Sequence, residues 1–196
     1  MTGERLARAL AAIDAANADD PATIDVDGVT RPKEQAHAEM MSAWVVRLDP
    51  DADEAQLLAA RAHHLRRWAI PRADYPDGRS GYLRWRTALK KRHAEDVGRI
   101  LAAEGYDDAT IARVQQIVRK EGLGRDEAVQ VHEDALCLVF LQTQFDELIE
   151  RLGHDKAVEV VAKTLAKLSE AGREVALGLP LSEPGLSVVT GALSAG

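Results

Sequence analysis

Apolar residues recur at intervals of three and four over most of the chain, and strict apolar–polar alternation is nearly absent, so the pattern predicts an all-α protein. Leu6, Leu10 and Ile13 mark a first helix over residues 3–17, which stops before Asp20-Pro21 because a residue preceding proline disfavours helix. The 23–29 segment reads as a loop or a minor extended piece. Pro32, a favoured first-turn residue, opens a second helix that ends near Leu48, before Asp49-Pro50. A third helix covers 53–68 and runs into IPRADYPDGRSG, whose two prolines and two glycines forbid regular helix and make the one elaborate loop. A long helix follows over 82–104 with Gly105 as its C-terminal cap, then another over 107–120. The 126–152 stretch, with LCLVFL at its middle, is the most apolar and is the expected central helix. Residues 155–177 give a last amphipathic helix. The expectation is a single helical bundle over 1–178 and a loosely packed Gly/Pro/Ser-rich tail over 179–196.

Composition agrees with one globular unit: 46% apolar and 29% charged residues suffice for one buried core. The longest wholly apolar run, 135–141, is far short of the roughly 20 residues needed to cross a bilayer. The opening MTGERLARALAAIDAA lacks the continuous apolar core of a secretory signal, and the single Cys137 excludes an intrachain disulfide or a CxxC metal knuckle. A cytoplasmic protein with no membrane span is expected.

Charge sharpens the picture. The net charge of −7 argues against general nucleic-acid affinity, which leaves nucleic acid a disfavoured partner. Yet between Arg61 and Arg92 ten basic residues face only Asp74 and Asp77, a local charge of +8. Trp68, Tyr75, Tyr82 and Trp85 lie in the same stretch. Arginines with few acids and with tryptophans nearby suit bidentate capture of phosphate or carboxylate. Arg67, Arg72, Arg79 and Arg86 are therefore the expected holders of an anionic small molecule or nucleotide, and Trp68 or Trp85 is placed to stack on a base.

Ionisable residues also fall on apolar stripes. His37 continues into Met41, Trp44 and Leu48, and His93 lies in line with Trp85, Leu89 and Val97. Asp134 shares a face with Val131, Leu138 and Leu141, while the adjacent His63 and His64 lie near the end of the third helix. A lone inward histidine is ordinarily a hydrogen-bonded core residue. Several inward histidines with an inward carboxylate would each need a separate partner in one small core, and a shared ion meets that need at once. His37, His63, His64 and Asp134 are the expected ligands of one divalent transition metal, and so soft a donor set favours iron, manganese, zinc or cobalt over magnesium.

The order of these residues, an early His, the His63-His64 pair, His93 some thirty residues on and a late Asp134, resembles the HD-domain superfamily. That resemblance implies an HD-like helical bundle, a bound divalent metal and hydrolysis of phosphate esters. The sequence departs from the family in carrying His64 where the eponymous Asp stands. The strings AIDAANADDP, RRWAIPRADYPDGRSGYLRWR, EDALCLVFL and KTLAKLSEAG also look like the uncharacterised bacterial and fungal family catalogued as domain of unknown function number 4202. His64, His93, Glu133 and Asp134 match that family's pattern, and His37 and His63 occupy its more variable positions.

The leading expectation is a metal-dependent hydrolase acting on a phosphorylated small molecule or nucleotide. A metal-bound water would be its nucleophile, and His93 or Glu133 its general base. Two alternatives stand beside it. One is a degenerate, non-catalytic HD-like module that binds a nucleotide or RNA end through its Arg-rich loop. The other is an iron oxygenase, which some HD-like proteins are.

Overall fold

A computed structural model describes residues 2–194 and bears out the helical periodicity. The elements are α1 (Thr2–Asn17), β1 (Thr23–Val26), β2 (Val29–Pro32), α2 (Lys33–Leu48), α3 (Glu54–Arg61), α4 (Gly78–Ala103), α5 (Asp108–Arg119), α6 (Glu127–Thr143), α7 (Phe145–Leu152), α8 (His154–Leu165), α9 (Glu170–Leu177) and α10 (Glu183–Ser194). The two strands pair antiparallel as a hairpin, with Asp27 and Gly28 supplying the positive φ angles of its turn.

Several boundaries differ from the periodicity, each for a local reason. The third helix ends at Arg61, not Trp68: Arg66 takes a left-handed φ of 50°, and the chain continues through 3-10 turns at Arg67–Ala69 and Arg72–Asp74. The expected 126–152 helix breaks at Gln144, whose φ of −133° and ψ of 0° separate α6 from α7. The expected 155–177 helix splits where the Ser169 hydroxyl accepts from the Gly172 N–H and starts α9.

Residues 179–194 are a correction of substance. Within them Glu183–Ser194 form α10 rather than loose chain, with Val188, Val189 and Ala192 buried and α10 packed on α8, while 195–196 of the expected tail lie outside the described residues. Pro184 sits in its first turn and Ser182 Oγ accepts from Gly185 N at 3.1 Å, so Pro and Ser here are start signals of a helix.

The buried apolar side chains form two clusters. The first joins Met41 and Trp44 of α2 to Leu138 and Leu141 of α6, Val161 of α8 and Val188 of α10. The second joins Ile13 of α1, Leu58 of α3, Val97 of α4 and Ile117 of α5. As expected, α6 is central: Ala128 and Val129 belong to the second cluster, while Ala135 and Leu138 belong to the first. Between them stand three buried polar residues, His132, Glu133 and Asp134. Ionisable groups thus sit at the seam of two cores. No helix among the described residues is long and apolar enough to cross a membrane.

Asp134 locks α6 to α9. Its Oδ1 accepts from Ser169 N at 3.0 Å and from Gln130 Nε2 at 2.8 Å, and its Oδ2 accepts from the Ser169 hydroxyl. A Cβ on Gly172 would lie 2.7 Å from Asp134 Cγ, so only glycine permits this approach. Gly172→Ala and Asp134→Ala should each lower stability by about 1–3 kcal/mol, the first by overpacking and the second by orphaning buried donors. Urea denaturation checks this. Parent-like midpoints in both variants would mean that the junction bears no load.

Candidate functional site

Four elements deliver one polar cluster. At the start of α2 the Asp20 side chain accepts from the Glu34 N–H at 2.8 Å, which places Glu34 in the first turn. His37, one turn on, shares its face, and both residues are buried. The turn after α3 adds His63 and His64, whose rings stack with centroids 3.5 Å apart. His93 of α4 lies 5.8 Å from the His64 ring, and His132 of α6 lies 6.0 Å from the His63 ring.

Glu34 organises the near side of this cluster. Its Oε2 lies 3.1 Å from His64 Nδ1 and 3.7 Å from His37 Nδ1, and its Oε1 lies 3.7 Å from Arg67 Nε. Burial opposes ionisation of Glu34, but His37 and Arg67 outweigh it and hold the carboxyl below its ordinary range. An ionised carboxylate accepts, so His64 carries its hydrogen on Nδ1, and its Nε2 accepts from Arg67 Nη1 at 3.2 Å. Glu34, His64 and Arg67 close a ring of polar contacts. His93 is fixed in the same sense: Nδ1–H donates to the Leu65 carbonyl at 2.7 Å and Nε2 keeps its lone pair.

The far side is unsatisfied. Among the described residues, His37 Nε2, His93 Nε2 and both ring nitrogens of His63 and of His132 are buried with no hydrogen-bond partner. Burial keeps the His63, His93 and His132 rings neutral. It pushes His93 down to about 4 and His132 to about 3, and holds His63 and His64 well below 6.5. Neutral imidazole is the form that ligates metals and accepts protons. No three His, Cys, Asp or Glu side chains among the described residues already stand in metal-holding array.

A cavity of about 630 Å³ adjoins the cluster at His64. Arg67, Arg72, Arg86, Arg151 and Lys167 line it, with Glu133 its one acidic wall residue. Glu133 is compensated from behind: Lys120, whose left-handed backbone (φ 60°) turns its buried ammonium inward, forms an ion pair with it, and Lys167 Nζ lies at 3.7 Å. Burial opposes the charge on Glu133, but these lysines keep its carboxyl below the usual range. Arg86 has no carboxylate partner among the described residues and meets only the Tyr82 hydroxyl, at 3.1 Å. The cavity is therefore a cationic pocket in an acidic protein.

The family model described as Domain of unknown function (DUF4202) matches residues 7–189. The chain belongs to the DUF4202 family. The matched span contains every residue of the histidine cluster and of the cavity wall. No curated protein and no solved structure matches the chain.

Of the residues singled out from sequence, this DUF4202 protein brings His37, His63, His64 and His93 together, and Arg67, Arg72, Arg86 and Trp85 line the cavity with Glu133. Asp134 does not join the histidines; its hydrogen bonds lie with Ser169 and Gln130, because its side of α6 faces α9. Glu133 is a compensated anion of the wall. Arg79 is exposed on the first turn of α4, Trp68 sits in a 3-10 turn, and neither lines the cavity. Arg72 donates to the Tyr75 and Pro76 carbonyls and so also holds the loop. Trp85 donates to the Ile70 carbonyl and carries the Arg67 guanidinium 4.8 Å from its ring centroid. Glu34, His132, Lys120, Arg151 and Lys167 were missed. Glu34 was within reach, since it stands three residues before the inward His37 on the same helix face.

The buried imidazoles predict a pH dependence. In the unfolded chain histidine titrates near 6.5, so below that pH the unfolded state binds protons that folded His93 and His132 refuse. Their contribution is complete above about pH 6.5 and falls as pH drops toward 4, each losing up to about 1.4 kcal/mol per pH unit. Urea midpoints of the metal-free protein should fall from pH 7 to 5, and His132→Leu should fall less steeply. A midpoint constant across that range would show the imidazoles to be hydrated.

Proposed function

We propose that this protein is a metal-dependent hydrolase of HD-like fold that cleaves phosphate esters of small molecules or nucleotides. One observation carries the reading: a cavity walled by guanidinium groups is lined by His64, whose ring stacks on that of the buried His63, an imidazole with no partner on either nitrogen. Six unsatisfied ring nitrogens would cost roughly 1–3 kcal/mol each if they served nothing. Their chemistry fits a divalent transition ion. With Asp134 engaged elsewhere, Glu34 takes its place as the carboxylate donor, beside His37, His63 and His132. An ion held there would supply a water of lowered pKa and polarise the ester oxygen.

The chain's own groups supply the rest. Arg67, Arg86 and Lys167 receive the phosphate oxygens and hold the ester in front of His64. His93, oriented by the Leu65 carbonyl, presents Nε2 as the acceptor for a proton from water. Glu133, held ionised between two lysines, keeps Lys167 in place. A second reading, a binding module without chemistry, is favoured by the Glu34–His64–Arg67 ring, which satisfies its members with no ion present.

Elemental analysis of protein purified without an affinity tag separates the two. The parent should hold near-stoichiometric transition metal and hydrolyse p-nitrophenyl phosphate. Glu34→Gln should lose most of the metal and lower kcat/KM at least about a hundredfold, a loss typical of a missing ligand or activating group. Asp134→Asn should keep the metal. Phosphate binding without hydrolysis, even after metal is added, would establish the binding module instead.

A further inference from the structure

The cavity is longer and more apolar than a phosphate needs. Glu133, Leu136, Cys137 and Phe140 of α6 line it, and Gln144, where that helix ends, lines it beyond them. At 1.5 Å per residue the helical part of that wall, 133–140, extends about 10 Å. Its character changes along the way. At the Glu133 end lie Lys167 and the buried Lys120, and Arg86 is near enough to Arg67 and Lys120 for their charges to interact. The middle is carbon: Leu136, Cys137 and Phe140 of α6, with Leu148 of α7 and Val160 of α8 on the same cavity. Past Phe140 the wall ends on the polar Gln144, and Arg151 of α7 also lines the cavity.

We infer that the ligand is an elongated phosphomonoester with an apolar aryl or alkyl body. The inference rests on the phosphate-ester reading and narrows it. The phosphate lies at the Arg67–Arg86–Lys167 end, next to His64. The body runs along the Leu136–Phe140 face, where a polar ester such as glycerol phosphate would strand its hydroxyls against carbon. A volume of about 630 Å³ suits such a molecule and is far more than a bare phosphate fills.

The inference is tested by calorimetric titration of the full chain with inorganic phosphate, glycerol 1-phosphate, phenyl phosphate, 1-naphthyl phosphate and 1-naphthol. Affinity should rise from phosphate through phenyl to naphthyl phosphate, with naphthyl phosphate at least about tenfold tighter than phosphate or glycerol phosphate. Naphthol should bind weakly. Leu136→Gln, at a partly buried position where the new side chain is of similar size, should erase most of the naphthyl advantage and leave inorganic phosphate unchanged; Phe140→Leu is a second, milder probe of the same wall.

Inorganic phosphate binding as tightly as naphthyl phosphate would overturn the inference and leave the phosphate reading intact. Naphthol binding as tightly as its phosphate would overturn it by removing the headgroup. No binding by any phosphate would sink the phosphate-ester reading itself.

Discussion

Keeping Glu34 ionised while buried is the constraint on which the site depends. A carboxylate removed from water in the first turn of α2 stays charged only if cations or donors surround it, and it has three: His64, His37 and Arg67. Each comes at a structural condition. His64 has to leave the α3 helix early to reach Glu34, and the left-handed Arg66 follows it in the turn. Arg67 must lie over Trp85, which the Ile70 carbonyl anchors, and so the loop after α3 is tied to α4.

The second condition is the seam. Two apolar clusters meet along α6, and polar residues are tolerated between them only where they find partners. Glu133 finds Lys120 and Lys167; Asp134 finds Ser169, Gln130 and the close approach that Gly172 allows. His132, between Val129 and Ala135 on the same helix, finds neither donor nor acceptor. Three consecutive polar residues on one helix thus point to three different fates. An ion pair faces the cavity, a helix junction faces α9, and an unsatisfied imidazole faces the histidines.

That divergence explains what the sequence could and could not reveal. Stripes of apolar residues located the helices, and His37 and His93 lie inward as their stripes require, because a helical face is a local property. The side chosen by Asp134 was not local. Its inward stripe agrees with its burial, but burial against α9 and burial against the histidines look identical in periodicity. Lys120 was hidden for a different reason. A lysine at a helix C-terminus ordinarily faces water, and here the left-handed cap residue instead pairs its ammonium with Glu133 of α6. Residues 179–194 misled through composition: Ser182 and Pro184 are equally good loop formers and helix starters, and the buried Val188, Val189 and Ala192 face decides between them.

Arg67 ties these parts together, because it belongs to both halves of the site. Its guanidinium lies against Glu34 and His64 on one side and lines the cavity on the other. An anion entering the cavity meets a cation already engaged by a carboxylate, and the two anions must share or compete for its five donors. To the extent that a ligand draws Arg67 outward, the ring of contacts opens, His64 Nε2 loses its donor, and Glu34 loses one of its compensating charges. Any free energy that anion binding gains at Arg67 is therefore offset in part at Glu34, unless another cation takes the vacated side of the carboxylate. Occupancy of the cavity and the charge balance of the histidine cluster are linked through this one side chain. That linkage is a property of the geometry and holds whether the protein catalyses a reaction or only binds.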